Sequence, residues 1–182
     1  LINGMQQWIV PQTGTYSIQA FGAQGGSTGT WGYFGGFGAK MEGSFNLTEG
    51  DSLYILVGQS PFSNDNSGGG GSFVVQYPYL SESDILTIAS GGGGSTILTN
   101  GNDGVFENNG MNGDDFAGWG CSGSGGTSGS GGEQGPSWDS SSGGGGFYTN
   151  GGDAEFSTGG LSFLNGSVGG FSTDYDALYG GF

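Results

Sequence analysis

The sequence has 182 residues, 47 of them glycine, and its charge is one-sided: sixteen Asp and Glu stand against a single cation, Lys40, with no Arg and no His. Average proteins carry roughly 7% Gly and about 25% charged residues, whereas only 9% of this chain is charged. A net charge of -15 excludes nucleic-acid partners, which require Lys and Arg to displace counterions; the lack of His excludes triad chemistry, lone Cys121 excludes a Cys/His zinc site, and no apolar run approaches the ~18 residues of a membrane span.

So much glycine is usual in flexible low-complexity tracts. Two features argue for a folded chain instead. Hydrophobic residues reach 32% and aromatics 14%, enough for a core, and they are patterned. Trp8, Ile9 and Val10 form a short apolar strand closed by Pro11, and Gln12-Thr13-Gly14 supplies turn residues. Tyr16, Ile18 and Ala20 then alternate with Ser17 and Gln19, the period of a half-buried strand. Two more alternating segments follow over Lys40–Leu47 and 52–58. Phe45 and Leu47 share one face of the first, with Asn46 turned away, while Leu53, Ile55 and Val57 share one face of the second. The compact polar link Thr48-Glu49-Gly50-Asp51 predicts a hairpin between them. A third pair covers 73–77 and Ile85–Ala89, joined through a loop containing Pro78. The first half therefore reads as antiparallel β.

Glycine tracts recur between and after these strands, at 25–26, 35–36, 68–71, 91–94, 125–126, 131–132, 143–146, 151–152, 159–160 and 169–170. A GGGGS run precedes one strand of the third pair and another follows its partner, as in a local duplication. Any single tract reads as a flexible linker. Recurrence between strands of one sheet points to order: polyglycine can adopt the extended threefold polyproline-II helix, and segments without side chains can pack side by side and bond laterally, which satisfies their backbone groups. Gly does not recur strictly every third residue, so a collagen triple helix is not supported.

Residues 99–142 are polar and rich in Gly, Asn, Ser and Asp, with isolated Phe106, Met111, Phe116, Trp119 and Trp138. Residues 160–164 read as a returning strand, followed by a Gly-Phe-Tyr tail over 168–182. One composite domain is expected, with strands and first glycine tracts in 1–98, a glycine-rich insertion in 99–160, and the returning strand and tail in 161–182. A first residue other than Met leads to the expectation of a processed form or a piece of a longer protein.

Several motifs resemble a known family. Trp8-Ile9-Val10-Pro11 with the run from Gly14 to Gly26, the segment from Glu49 to Gln59, the run from Gly68 to Phe73 followed by Leu86 to Gly94, and then 142–146, 151–154 and 160–163 are similar, in order, to the glycine-rich ectodomain of anaplastic lymphoma kinase and leukocyte tyrosine kinase receptors. That resemblance implies an all-β fold: a tumour-necrosis-factor-like, jelly-roll-like antiparallel β-sandwich carrying a bundle of polyglycine-II helices. It also implies an extracellular location and, for the receptor domains, capture of basic polypeptides. The receptors' growth-factor-like module, membrane span, kinase and disulfides have no counterpart in these residues.

Carboxylates invite a glycosidase reading, which needs two of them; Asp114 with Asp115 and Asp153 with Glu155 are the candidates, though solvated surface charge is the commoner explanation and no enzyme is expected. No cofactor is expected either, with calcium the exception worth testing, through Asn100, Asn102 and Asp103 with Glu107, or Asn112 with Asp114 and Asp115. None of the glycine tracts continues into the GKS/T of a nucleotide loop. Cys121 reads as a buried or free thiol. Asn46-Leu47-Thr48 and Asn165-Gly166-Ser167 are candidate glycosylation sequons. The expectation is a secreted or cell-surface, non-enzymatic structural or adhesive module, self-associating or binding other extracellular proteins or glycans, with an extracellular filament as its assembled form. The alternatives are a receptor-type ectodomain that captures a basic polypeptide and a carbohydrate-binding module using exposed Trp and Tyr.

Overall fold

The computed structural model describes residues 4–27, 32–61, 67–96, 98–114, 122–135, 142–155 and 157–171. Six strands form where apolar and β-branched residues alternate: β1 (Gln6–Ile9), β2 (Gly14–Phe21), β3 (Lys40–Leu47), β4 (Ser52–Leu56), β5 (Ser72–Tyr77) and β6 (Ile85–Ala89). They make a four-stranded sheet in the order β1-β4-β5-β6 and a two-stranded sheet of β2 and β3. Every pairing is antiparallel. The chain is all-β. The helical elements among the described residues are two single 3-10 turns, Glu82–Asp84 and Phe163–Asn165.

The hairpin expected between 40–47 and 52–58 does not form. β3 pairs with β2, and β4 pairs with β1 and β5. The register nevertheless runs unbroken from Phe21↔Lys40 to Gly14↔Leu47 and on to Gln6↔Ile55, so β1-β2 and β3-β4 form one long two-stranded ribbon bent at a corner. The predicted turn is that corner. Asp51 Oδ2 accepts from the Thr48 amide at 2.8 Å, and the Gly50 and Asp51 backbones exchange bonds with Val10. Gly50, at φ +92°, takes a left-handed conformation that suits glycine. Beyond the corner each half of the ribbon enters a different sheet, the behaviour of a jelly-roll-like sandwich.

The sheets close over Val10, Leu47, Leu53 and Val74, with Tyr16, Ile18, Phe45, Ile55 and Leu86 packed around them. These are the inward positions of the period-2 pattern. Each such Val or Leu contributes about 1.5–3 kcal/mol by leaving water. Val57 departs from expectation: β4 ends at Leu56, and Val57 is exposed.

β5 reads Ser-Phe-Val-Val because its sheet is covered on both faces. Its far face, with Phe73, Val75, Leu56 and Met5, packs under Phe147 and Phe163 from the glycine-rich second half. Residues 160–164 are therefore not a returning strand. Phe163 opens a 3-10 turn, capped by Ser162 and closed by Gly166 at φ 104°, and that turn drives its ring onto the sheet.

The glycine tracts are ordered by lateral bonds that repeat every third residue. Gly92 and Ser95 donate to Ala23 and Gly26; Gly22 and Gly25 donate to Ala39 and Gly36; Ala23 and Gly26 donate to Gly70 and Ser67. A step of three in both partners is the spacing of extended threefold helices, as the sequence led us to expect. Glycine is required by distance: a Cβ on Gly25 would overlap the carbonyl of Gly93, and one on Gly92 that of Gly36. The bonds among segments 22–27, 34–39, 67–71, 90–95 and 100–104 tie these together at one end of the sandwich. A second set, for example Gly110 and Gly113 to Gly126 and Gly123, and Gly151 to Gly160, links 108–114, 122–135, 142–155 and 157–171.

Candidate functional site

The candidate site is an edge of the first glycine bundle. The segment from Phe34 to Phe37 reads Phe-Gly-Gly-Phe. On a threefold helix, residues three apart point the same way, about 9 Å along the axis. The two glycines between are needed for packing, since a Cβ on Gly35 would overlap the carbonyl of Gly25 and one on Gly36 that of Asn102. With those positions turned into the bundle, Phe34 and Phe37 face solvent, 63% and 67% exposed.

A second segment runs parallel to this one. Gly101 and Gly104 donate to the carbonyls of Phe34 and Phe37. In return, Asn100 Oδ1 accepts from the Phe34 amide at 2.9 Å, and Asp103 Oδ1 accepts from the Phe37 amide at 2.7 Å. The neighbouring backbone is also satisfied by side chains: Ser27 accepts from the Gly35 amide and Gln24 donates to the Gly35 carbonyl, each at 3.0 Å. The result is a groove of about 310 Å³, lined by Gln24, Phe34, Phe37, Asn100, Asp103 and intervening glycines. It offers two ring faces and a carboxylate.

The chain's single cation is already paired. Lys40 is held by Glu42 at 3.3 Å and lies 5.8 Å from the centre of the Phe21 ring. A hydrogen bond from Gln19, followed by the Lys40 bond and charge, holds the Glu42 carboxyl below the usual carboxylate range.

Most of the candidate ligands and carboxylates that are described are tied to backbone groups or exposed. Asn100 and Asp103, candidates for calcium, have a side-chain oxygen committed to a backbone amide, and Asn102 donates to the Asn112 carbonyl. Asn112 accepts from the Gly125 amide, and Asp153 from that of Gly159. Glu107, Asp114 and Glu155 are exposed. Nowhere among the described residues do three or more Asp, Glu, His or Cys gather as a metal site would require. Asp115, Phe116, Trp119, Cys121, Trp138 and the tail from 172 to 182 lie outside the described residues.

The two sequons differ. Asn46 is exposed on the outer, polar face of β3, its Oδ1 accepting from Thr15 at 2.8 Å. Asn165 lies in the 3-10 turn, donating to Asn150 at 2.9 Å, and Ser167 of its sequon is buried.

The comparison that bears on function is partial. Over 58 residues the chain is 41% identical to the leukocyte tyrosine kinase receptor of Mus musculus, a stretch covering 32% of this chain and 6% of the receptor. No protein-family model matches the chain. The chain is a distant relative of that receptor, and what it matches is a small part of the receptor's length. No helix among the described residues is long and apolar enough to cross a membrane.

The Phe34–Asp103 edge was missed by reading the strands for period two and the glycines as tracts. The signal that reveals it is the period of three, applied to the residues between glycines: Phe34 with Phe37, and Asn100 with Asp103.

Proposed function

We propose that this chain is an extracellular, non-enzymatic recognition module whose acidic, aromatic edge captures a basic polypeptide. The observation that supports it most is the pair of exposed rings, Phe34 and Phe37, standing on a hydrogen-bonded bundle beside Asp103. Contiguous exposed apolar side chains on a rigid support are a mark of interaction sites. The distant relationship to a receptor favours an outward-facing role, and a net charge of -15 favours a cationic partner through steering. Of the candidate carboxylates among the described residues, Asp153 accepts from the Gly159 amide, and Asp114 and Glu155 are exposed. In a secreted form, Asn46 is the glycan acceptor. Titration of the purified chain with an arginine-rich peptide at rising salt tests the reading. Binding that weakens with salt is expected, and salt-independent or absent binding overturns it.

Self-assembly into a filament is the second reading, and β1 favours it. Gln6–Ile9 is an exposed strand at the sheet edge without a charged residue or Pro, the features that normally blunt such edges. Size-exclusion chromatography over a concentration series decides it: growth that Gln7→Lys abolishes supports strand addition, and a monomer at every concentration dismisses it.

A further inference from the structure

We infer that the groove between Phe34 and Phe37 takes a basic, proline-rich segment in the polyproline-II conformation, an inference that rests on the recognition reading above and narrows it. Three observations lead there.

The first is period. The two rings stand one threefold turn apart, about 9 Å by the rise of such a helix. An incoming polyproline-II segment has the same turn, so residues three apart in the ligand meet equivalent surfaces along the groove. A β-strand, with a two-residue repeat, drifts out of step with the rings.

The second is hydrogen bonding. Side chains already occupy the backbone groups that a strand or another glycine helix would use: Asn100 and Asp103 accept from the Phe34 and Phe37 amides, while Ser27 and Gln24 bond the amide and carbonyl of Gly35. The backbone of 34–37 is closed to further pairing. Proline has no N–H to satisfy, so a proline-rich segment loses least by lying on such a surface, and aromatic-lined grooves are the usual seat for it.

The third is charge. Asp103 lines the groove, and the chain as a whole carries sixteen acidic residues against one Lys, so ligand positions between the prolines are Arg or Lys. The groove volume of about 310 Å³ falls at the small end of ligand sites, roughly 300–1,000 Å³, enough for a single turn of ligand seated against two rings.

Isothermal titration of the full chain tests this with two synthetic peptides of about twelve residues and equal charge. One carries Arg at every third position with Pro elsewhere; in the other Gly and Ser replace Pro. The proline peptide should bind more tightly, and Phe34→Ala with Phe37→Ala should weaken it by about tenfold or more, as loss of central aromatic contacts does. Both rings are exposed, so the double variant should keep its circular dichroism spectrum and melting temperature. Asp103→Asn keeps the oxygen that accepts from Phe37 and removes only the charge; it should weaken binding and flatten its salt dependence. Equal binding of the Gly/Ser peptide overturns the polyproline reading and leaves general capture of basic chains standing. Unchanged affinity in the double Phe variant overturns the site. Failure of both peptides overturns both readings.

Discussion

The rings of Phe147 and Phe163 stack 5.0 Å apart with planes 10° from parallel, and Phe73 of β5 lies 5.2 Å from Phe163 beneath them. Two residues of glycine-rich chain thereby seal the outer face of the four-stranded sheet. Glycine helices carry no side chains to bury, and among the described residues these rings and Tyr148 bring the second half into the core under the sheet. Phe147→Ala is expected to cost about 3–5 kcal/mol, the range for a fully buried aromatic. Urea unfolding followed by circular dichroism measures it; a cost below about 1 kcal/mol would mean the bundle is held by other contacts.

Glycine positions in the bundle should differ sharply in tolerance. Gly92→Ala places a methyl group on the carbonyl of Gly36, and overpacking of this kind against backbone costs typically about 1–3 kcal/mol or more. At Gly68 the nearest atom to an added Cβ is the Gly92 oxygen at 3.6 Å, ordinary contact distance. Gly68→Ala should be neutral or stabilising by about 0.4–1 kcal/mol through a less flexible unfolded chain. Thermal melts of the two variants, adjacent in space yet opposite in sign, check the lattice.

Alkaline stability should depend on Tyr148. Its hydroxyl donates to Glu82 at 3.3 Å and lies 3.2 Å from the Tyr79 hydroxyl. The Tyr79 bond first, then burial and the Glu82 charge, push its ionisation well above the ordinary phenol range. The folded state thus keeps a proton that the unfolded state releases near pH 10. The stability linked to it is complete below that pH and declines as pH rises through it. Urea midpoints between about pH 8 and 11 should fall less steeply in Tyr148→Phe than in the parent chain.

Glycan attachment should separate the sequons. Asn46 projects from an exposed strand face, whereas Ser167, the hydroxyl residue of the other sequon, is buried at φ 53° in the turn after Phe163. Secretion from a eukaryotic cell should yield a mass excess that Asn46→Gln removes and Asn165→Gln leaves in place. The reverse pattern in an intact-mass spectrum would count against the assignment.

All six strands were legible in the sequence, because alternation of Tyr16, Ile18 and Ala20, or of Phe45 and Leu47, is a local signal that needs no knowledge of the partner. The threefold glycine packing was legible too, since no other residue can let backbones approach so closely. Pairing was not. Thr48-Glu49-Gly50-Asp51 has the composition of a hairpin turn, and only the bonds to Val10 and Thr13 make it the corner of a ribbon. Phe163 looked like a strand residue because its neighbours are apolar, but the cap from Ser162 and the left-handed Gly166 wind it into a 3-10 turn.

The sequence by itself determined the composition-level exclusions, the all-β character and the need for glycine, each a property of residues taken alone or with near neighbours. Tertiary structure decided which strands pair, which aromatics are buried and which stand exposed. Phe147 and Phe34 both sit beside glycines in the sequence; one is 2% exposed and the other 63%. The difference lies in what lies opposite: Phe147 meets the apolar face of β5, while Phe34 stands at the edge of a lattice whose last backbone bonds are closed by Asn100 and Asp103.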